Sequence, residues 1–318
     1  LDPYLPSNLI TSAYLIFLKL MNKSPLNIDF SNSYFISSAP PWSIHIIGKT
    51  LGRINKRPCF IDYRDQFYGN HMFTGYFGCL EEMIDKNLCK NTTGVFTISP
   101  SMKKHYLNYS DNVALIPNGF DPDLFWKDNK QEIKSSGTIN INYFGSIQHE
   151  TRLPKMLIDA LEISGSNFVL NFYGNVPLVE KYISENSSLE NKVKIMGSIP
   201  STDVRKIMAS SDINLMCETI DGDSLSHKGV MTSKLYEYLA VERPILALIS
   251  NKSDMCEVLE KSGLLLGQFT IFEDLLAWLN NFNYDNLHIS PNSDFISSFS
   301  RENSLNLLLR KAKKDHED

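Results

Sequence analysis

Short apolar runs alternate along this chain with longer stretches of helical, amphipathic spacing. Nine runs read as strands: Tyr34–Ser37, Cys59–Asp62, Gly94–Ile98, Val113–Ile116, Ile139–Tyr143, Phe168–Tyr173, Val193–Met196, Ile213–Met216 and Pro244–Leu248. Strands of this length separated by helical stretches predict parallel α/β sheets, since a helical crossover is what returns the chain to begin a parallel strand. Several runs end in Gly, Ser or Asp. In open α/β sheets the carboxyl ends of strands border the ligand crevice, so polar residues there are the first site candidates.

The alternation breaks at Asp121–Gly137, where Pro, charges, Ser and Gly separate two strand–helix series. This reads as a linker between a first domain over residues 1–133 and a second over residues 134–298, and 318 residues suit two domains of about 100–200 residues each. Phe295–Lys314 has the spacing of a closing amphipathic helix whose basic end suits its dipole, and residues 299–318 are expected to pack back on the first domain.

Composition narrows the function classes. A formal charge of −5 argues against a surface that coats nucleic acid, which needs an excess of Lys and Arg. The charge is uneven: residues 1–133 carry 13 basic and 12 acidic side chains, the remainder 18 and 24, so the first half is the one suited to an anionic membrane. The five cysteines, Cys59, Cys79, Cys89, Cys217 and Cys256, lack C-x-x-C or zinc-ligand spacing, which fits a reducing, cytoplasmic setting. No apolar run approaches the ~18–20 residues of a membrane span.

The densest chemistry lies in His227–Leu248. A loop with Lys228, Gly229, Val230, Met231 and Thr232 leads into the helical run Lys234-Leu235-Tyr236-Glu237, and a helix start after a glycine loop offers free N–H groups and a positive dipole end to a diphosphate. Glu237, one turn in, can accept hydrogen bonds from two ribose hydroxyls. The bland alternative is an ordinary loop–helix–strand unit with a surface acid. In Ile139–Leu157 a strand runs into Gly145 and Ser146, and then into a polar loop with Arg152 and Lys155, cations able to offset phosphate charge. It is no G-x-G-x-x-G loop, so a dinucleotide cofactor is not indicated. Gly174 and Gly197-Ser198-Ile199 close two further strands, where backbone can approach a flat base.

Taken in order, these stretches resemble the retaining glycosyltransferases of the GT-B fold, in particular the large family 4 and its bacterial surface-polysaccharide enzymes. The resemblance is carried by ISSAPP at Ile36–Pro41, IDYRDQF at Ile61–Phe67, TISPS at Thr97–Ser101, IPNGFDPDLF at Ile116–Phe125, YFGSI at Tyr143–Ile147, IMGSIP at Ile195–Pro200, SSDINLM at Ser210–Met216 and the block from Lys228. It implies two Rossmann-like domains facing across a cleft, and a nucleotide-diphosphate sugar as co-substrate without a separate cofactor. It also implies a hexosyl transfer to a glycan or lipid-linked acceptor. By position Glu237 resembles the ribose-binding glutamate, Arg152 the phosphate-holding cation, Gly145 the glycine of that turn, and Gly197-Ser198-Ile199 the turn that touches the base. Two departures stand out. Gly229 replaces an earlier glutamate, leaving backbone N–H groups of Gly229–Thr232 and Lys228 to bind sugar or phosphate. Ser146 replaces a cation, so more falls on Arg152 and Lys234. Such folds open with a glycine-rich loop that residues 1–33 lack, and the chain begins at Leu1, so a first domain incomplete at its start is expected.

On the acceptor side Asp62, Arg64 and Asp65 follow a strand. An Asp there can orient a hydroxyl, and Arg64 can neutralise leaving phosphate or hold Asp65; a structural Arg–Asp pair is the equal alternative. His45, His71 and His105 offer bases, although a lone His is more often a core or surface residue. Asp121-Pro-Asp123 and Asp221-Gly-Asp223 invite a metal reading, but neither follows a convincing strand, and no metal is expected. Two other activities compete with transfer: a nucleotide-sugar epimerase on the same scaffold, and a non-catalytic nucleotide-sugar-binding subunit. Last, Ala13–Met21 with Lys49, Arg53, Lys56, Arg57, Lys103 and Lys104 forms a surface able to rest on an anionic membrane, unless the first is a buried core helix.

Overall fold

The computed structural model describes residues 4–21, 30, 32–70, 78–125, 137–220 and 224–317. They form two compact units, each with its own parallel sheet. One comprises Leu1–Asn118, Asp223–Met231 and Glu302–Asp318; the other comprises Gly119–Gly222 and Thr232–Arg301.

The first unit runs α1 (Leu5–Leu20), β1 (Phe35–Ala39), α2 (Ile44–Asn55), β2 (Cys59–Tyr63), α3 (Gly78–Cys89), β3 (Gly94–Thr97), α4 (Pro100–Tyr106) and β4 (Val113–Leu115). Its strands pair in the order β1-β2-β3-β4, all parallel. Because successive right-handed crossovers advance in one direction, they lay α2, α3 and α4 on one face. That face buries Ile61, Tyr63 and Val95. The other carries Phe60 and Phe96, and the register of Asp62 opposite Phe96 puts Asp62 there too.

The second unit runs α5 (Pro122–Phe125), β5 (Ile139–Phe144), α6 (Lys155–Ile163), β6 (Phe168–Tyr173), α7 (Pro177–Ser184), β7 (Val193–Gly197), α8 (Ser201–Ser210) and β8 (Ile213–Cys217). After α9 (Leu225–Lys228), which belongs to the first unit, it continues with α10 (Ser233–Val241), β9 (Ile245–Leu248), α11 (Asp254–Ser262), β10 (Leu265–Gln268), α12 (Phe272–Asn280) and α13 (Ser293–Ser297). The strand order is β10-β9-β8-β5-β6-β7. The chain lays down β5, β6 and β7 in one direction and then crosses back to place β8 on the far side of β5. That reversal makes a switch point between the carboxyl ends of β5 and β8, where ligands of such sheets bind. Ile141, Leu157, Leu161, Leu170, Phe172, Leu215 and Leu246 are among the fully or nearly fully buried side chains of its core.

The nine expected strands are present, each within about two residues of its expected ends. β10 is the addition: Gly267 interrupts its apolar run, a bulge lies between Leu265 and Gly267, and its side chains are half-exposed, so periodicity was weak there. The expected single closing helix is two, α13 and α14 (Arg301–Glu317). Between them the backbone breaks to form a strand-like bridge with Phe120, whose N–H donates to Phe299 O and whose carbonyl accepts from Arg301 N–H. Gly119 permits the approach, because a Cβ there would lie 2.2 Å from Phe299 O. In the first unit α14 packs Leu308 and Ala312 against Phe60, Phe96 and Ile116.

Candidate functional site

In the second unit the sequence-predicted residues gather at the switch point. β5 ends in Gly145 (φ +123°) and β6 in Gly174 (φ +144°), conformations that side-chain-bearing residues rarely adopt. The turns are stitched together: Gly145 N–H donates to Tyr173 O, and Gly174 N–H to Gly197 O. Space also demands glycine at 174, where a Cβ would fall 2.3 Å from Gly145 O; one at 145 would fall 2.9 Å from Lys234 Nζ, the movable end of that side chain. Lys234 therefore lies over the β5 turn. Its Nζ donates to Tyr143 Oη at 2.8 Å and sits 4.3 Å above that ring. Burial lowers its pKa, the Glu218 charge opposing, so this cation is incompletely satisfied by water and gains from an incoming anion.

Arg152 sits in a short 3-10 turn ahead of α6, and its Nε donates to Glu218 Oε2 at 2.8 Å. Glu218 directly follows β8, so the pair spans the switch point between β5 and β8. Cys217, one residue earlier, has its thiol pushed up to about 12 by burial and then by Glu218, so it stays protonated; its Sγ donates to Arg152 O. Thr232 caps α10 with extended backbone but without a side-chain cap. Its hydroxyl donates to Met216 Sδ and its carbonyl accepts from Leu235 N–H, which leaves the N–H groups of Ser233 and Lys234 to a ligand. Glu237, half-buried on α10, has its carboxyl raised by burial, with Arg301, Lys234 and Arg205 opposing. Ser146, Ser198 and Ile199 line the turns at the surface or half-buried. Two expectations change. Leu235 is fully buried, so its side chain is packing and cannot reach a donor. Lys155 has its ammonium 5.5 Å over the Tyr182 ring, although the residue also lines a cavity with Cys217 and Glu218.

The other predicted residues lie in the first unit. Arg64 pairs with Asp62 (Nε to Oδ2, 2.7 Å) rather than holding Asp65, the strand-end Arg–Asp pair of the structural alternative. Ser38 Oγ donates to the same Oδ2, and Arg64 Nη1 donates to Asn118 Oδ1 at 2.9 Å. Asn118 Nδ2 in turn donates to Met231 O at 3.4 Å, so a relay fixes the backbone of the loop after α9. Asp65 is exposed, with its carbonyl accepting from Trp42 Nε1. Gly229 is buried against α4: a Cβ there would meet Ser99 Oγ at 3.0 Å and Met102 Cγ at 3.1 Å. A glutamate would crowd these neighbours and Leu225 O, which is the physical counterpart of that departure. Lys228 and Val230 are half-buried and Met231 is buried.

The histidine bases are not supported. His45 is fully buried against Ser37 Oγ, and burial followed by the Lys49 charge lowers it to about 3. His105 packs on Tyr106 and Tyr109 and is lowered by burial. His71 and the Asp221-Gly-Asp223 string lie outside the described residues, as do residues 126–133 of the first predicted domain and most of the linker. Among the described residues, no group of three or more His, Cys, Asp or Glu could hold a metal ion, and no helix is long and apolar enough to cross a membrane.

Solved structures resemble this architecture closely. HepE of Anabaena in complex with UDP and glucose superposes with a TM-score of 0.61 at 16% identity, over 88% of this chain and 78% of that one. The sucrose-phosphate synthase of Thermosynechococcus elongatus gives 0.61 at 15%, over 96% and 79%. The lipopolysaccharide outer core galactosyltransferase WaaB gives 0.60 at 12%, over 96% and 79%. The chain has the GT-B glycosyltransferase fold. No family model and no curated protein matches it. Within that fold, sequence reasoning missed Glu218 and Asn118. Both were findable: Glu218 is the polar residue ending SSDINLMCE, and Asn118 lies inside the IPNGF string.

Proposed function

We propose that this protein transfers a sugar, a hexose by its resemblance, from a nucleoside-diphosphate sugar to a glycan or lipid-linked acceptor, with retention and without a metal, in surface-polysaccharide synthesis. The carrying observation is that Lys234, at the start of the uncapped helix α10, lies over the Gly145 turn, with Arg152 held by Glu218 at the neighbouring end of β8, where its charge reaches Lys234. Two cations and a helix dipole there suit a diphosphate, and they stabilise the same charge as it grows on the leaving group. Glu237 is assigned to the ribose, and the Gly174 and Gly197-Ser198-Ile199 turns to the base. The acceptor hydroxyl attacks from the face the diphosphate leaves, with Arg64 and Asp65 as acceptor-side residues. The UDP bound by HepE makes UDP-sugars the first donors to test.

A lipid-linked acceptor on the cytoplasmic face of a membrane is favoured by α1. It buries Ser12 and Leu15 and exposes Ile10, Tyr14, Phe17 and Leu20, the pattern of a surface helix with an apolar outer face. Beside it a groove of ≈ 1300 Å³ joins Leu9, Ile16 and Ile46 to Arg53, Lys56 and Arg57. Apolar residues flanked by cations suit an anionic bilayer. Co-sedimentation with anionic but not neutral vesicles is expected; equal, negligible binding to both removes the membrane and leaves the transfer.

The direct test incubates UDP-, GDP- and ADP-sugars with a polysaccharide-precursor acceptor and follows the nucleoside diphosphate released. Acceptor-dependent release that Arg152→Ala abolishes supports transfer. An isomerised donor formed without acceptor identifies an epimerase, and binding without turnover a non-catalytic subunit.

A further inference from the structure

Glu218 is an acid where the donor reading expects anions. Its side chain is only 10% exposed, at the edge of a core built mainly of apolar side chains. Arg152, its partner, is 37% exposed. Replacing a nearly buried ion pair by apolar packing is commonly neutral or stabilising, so folding stability alone does not explain the carboxylate. Its surroundings point elsewhere. Glu218 engages Arg152 by Nε alone, and among the described residues the two terminal guanidinium nitrogens make no hydrogen bond. The Glu218 charge also reaches the Lys234 ammonium and the Tyr143 hydroxyl, so one carboxylate serves both cations of the Gly145 turn. Glu218 also lines a cavity of ≈ 270 Å³ together with Glu150, Leu153, Lys155, Thr219 and Ile220.

We propose that Glu218 is the resident counter-charge of the donor-phosphate site, a positioning residue that sets how readily the nucleoside diphosphate leaves. This rests on the donor reading above. In the ligand-free protein it offsets repulsion between Arg152 and Lys234 and holds the guanidinium so that its terminal nitrogens face outward. When a diphosphate arrives, the same carboxylate opposes it. The site thus binds less tightly than its two cations alone would, and product release is quicker.

The experiment exploits a sign that a purely structural role cannot produce. UDP, GDP, ADP, inorganic pyrophosphate and the corresponding nucleosides are titrated calorimetrically into the full chain and into Glu218→Gln. The nucleoside diphosphate that the wild type binds best is expected to bind the variant about tenfold tighter, a difference of about 1.4 kcal/mol. Pyrophosphate should move the same way, the nucleoside should not move, and the variant's affinity should fall more steeply with added NaCl. Equal or weaker binding in a variant that melts like the wild type overturns the proposal and leaves the donor site standing. If the amide disturbs folding, Glu218→Ser carries the same expected tightening and the same refutation. If the wild type binds none of the three nucleoside diphosphates, the donor reading falls and the proposal with it.

Discussion

The two units bury parallel sheets with different polar groups. In the six-stranded unit an amide network crosses the sheet: Asn171 Nδ2 donates to Asn142 Oδ1, and Asn142 Nδ2 to Ser211 Oγ, while Asn140 donates to Asp212. The four-stranded unit buries an acid and an imidazole whose titration burial shifts far. Asp85 accepts from the Tyr63 and Tyr106 hydroxyls and from Tyr68 N–H, beneath stacked rings of Tyr63 and Tyr106. Burial raises Asp85 to about 6, those hydrogen bonds opposing, and lowers His45 to about 3. Amides satisfy one another at any pH, whereas a buried acid and a buried imidazole tie folding to protons. The charges of the six-stranded unit that concern a donor, Arg152, Glu218 and Lys234, lie at the carboxyl end of its sheet and at the start of α10. The four-stranded unit spends charge on holding its helices.

That contrast is broken most severely by separating activity from stability. Arg152→Ala and Lys234→Ala are each expected to lower kcat/KM by about 100- to 1000-fold, the scale of removing one preorganised charge stabiliser, with thermal midpoints unchanged. A variant that kept its rate would remove that residue from the phosphate site.

In the four-stranded unit the expected loss is structural. Asp85→Ala strands two buried tyrosine hydroxyls and should cost about 3 kcal/mol by urea unfolding. A cost under about 1 kcal/mol would mean that those hydroxyls find other partners.

Gly229→Glu, which restores the residue common in relatives, is expected to destabilise by about 1–2 kcal/mol through its contacts with Ser99 and Met102, and not to raise turnover. Higher turnover would show that the loop after α9 has room that the packing denies.

The smallest effect is the proton linkage. Because Asp85 is raised in the folded state, its contribution is fully present below its unfolded pKa near 4 and is lost as pH rises through about 6. Between pH 7 and pH 5 the wild type should therefore gain about 1 kcal/mol relative to Asp85→Asn, read as the difference between their urea curves. His45, lowered, acts oppositely below its ordinary pKa but equally in both proteins. A constant difference would return Asp85 to an ordinary carboxylate.

How much of this was legible follows from the kind of signal. Strands of the sheet interiors announced themselves as apolar runs, and only β10, interrupted by Gly267 and half-exposed, escaped. The Gly145 turn and Arg152 were readable because a strand end followed by glycine and a cation is a local pattern. Arg64 with Asp62 was ambiguous, since Asp62 and Asp65 flank it in sequence and only the pleat decides which one shares its face. The break between α13 and α14 was hidden, because it depends on Phe120, far away in the chain, capturing the backbone there. Glu218 shows the same limit. Its position after a strand was visible, but its partner is 66 residues distant, and pairing at that range is decided by strand order.

The central claim is that the switch point of the six-stranded sheet seats a nucleoside diphosphate through Arg152. Thermal unfolding of the wild type and Arg152→Ala, with UDP, GDP and ADP against their nucleosides, measures it most directly. One diphosphate at 100 times its Kd should stabilise the wild type by about 2.7 kcal/mol, its nucleoside far less, and Arg152→Ala at the same concentration should lose most of that gain. Stabilisation of both proteins alike, or of neither by any of the three, would contradict the account.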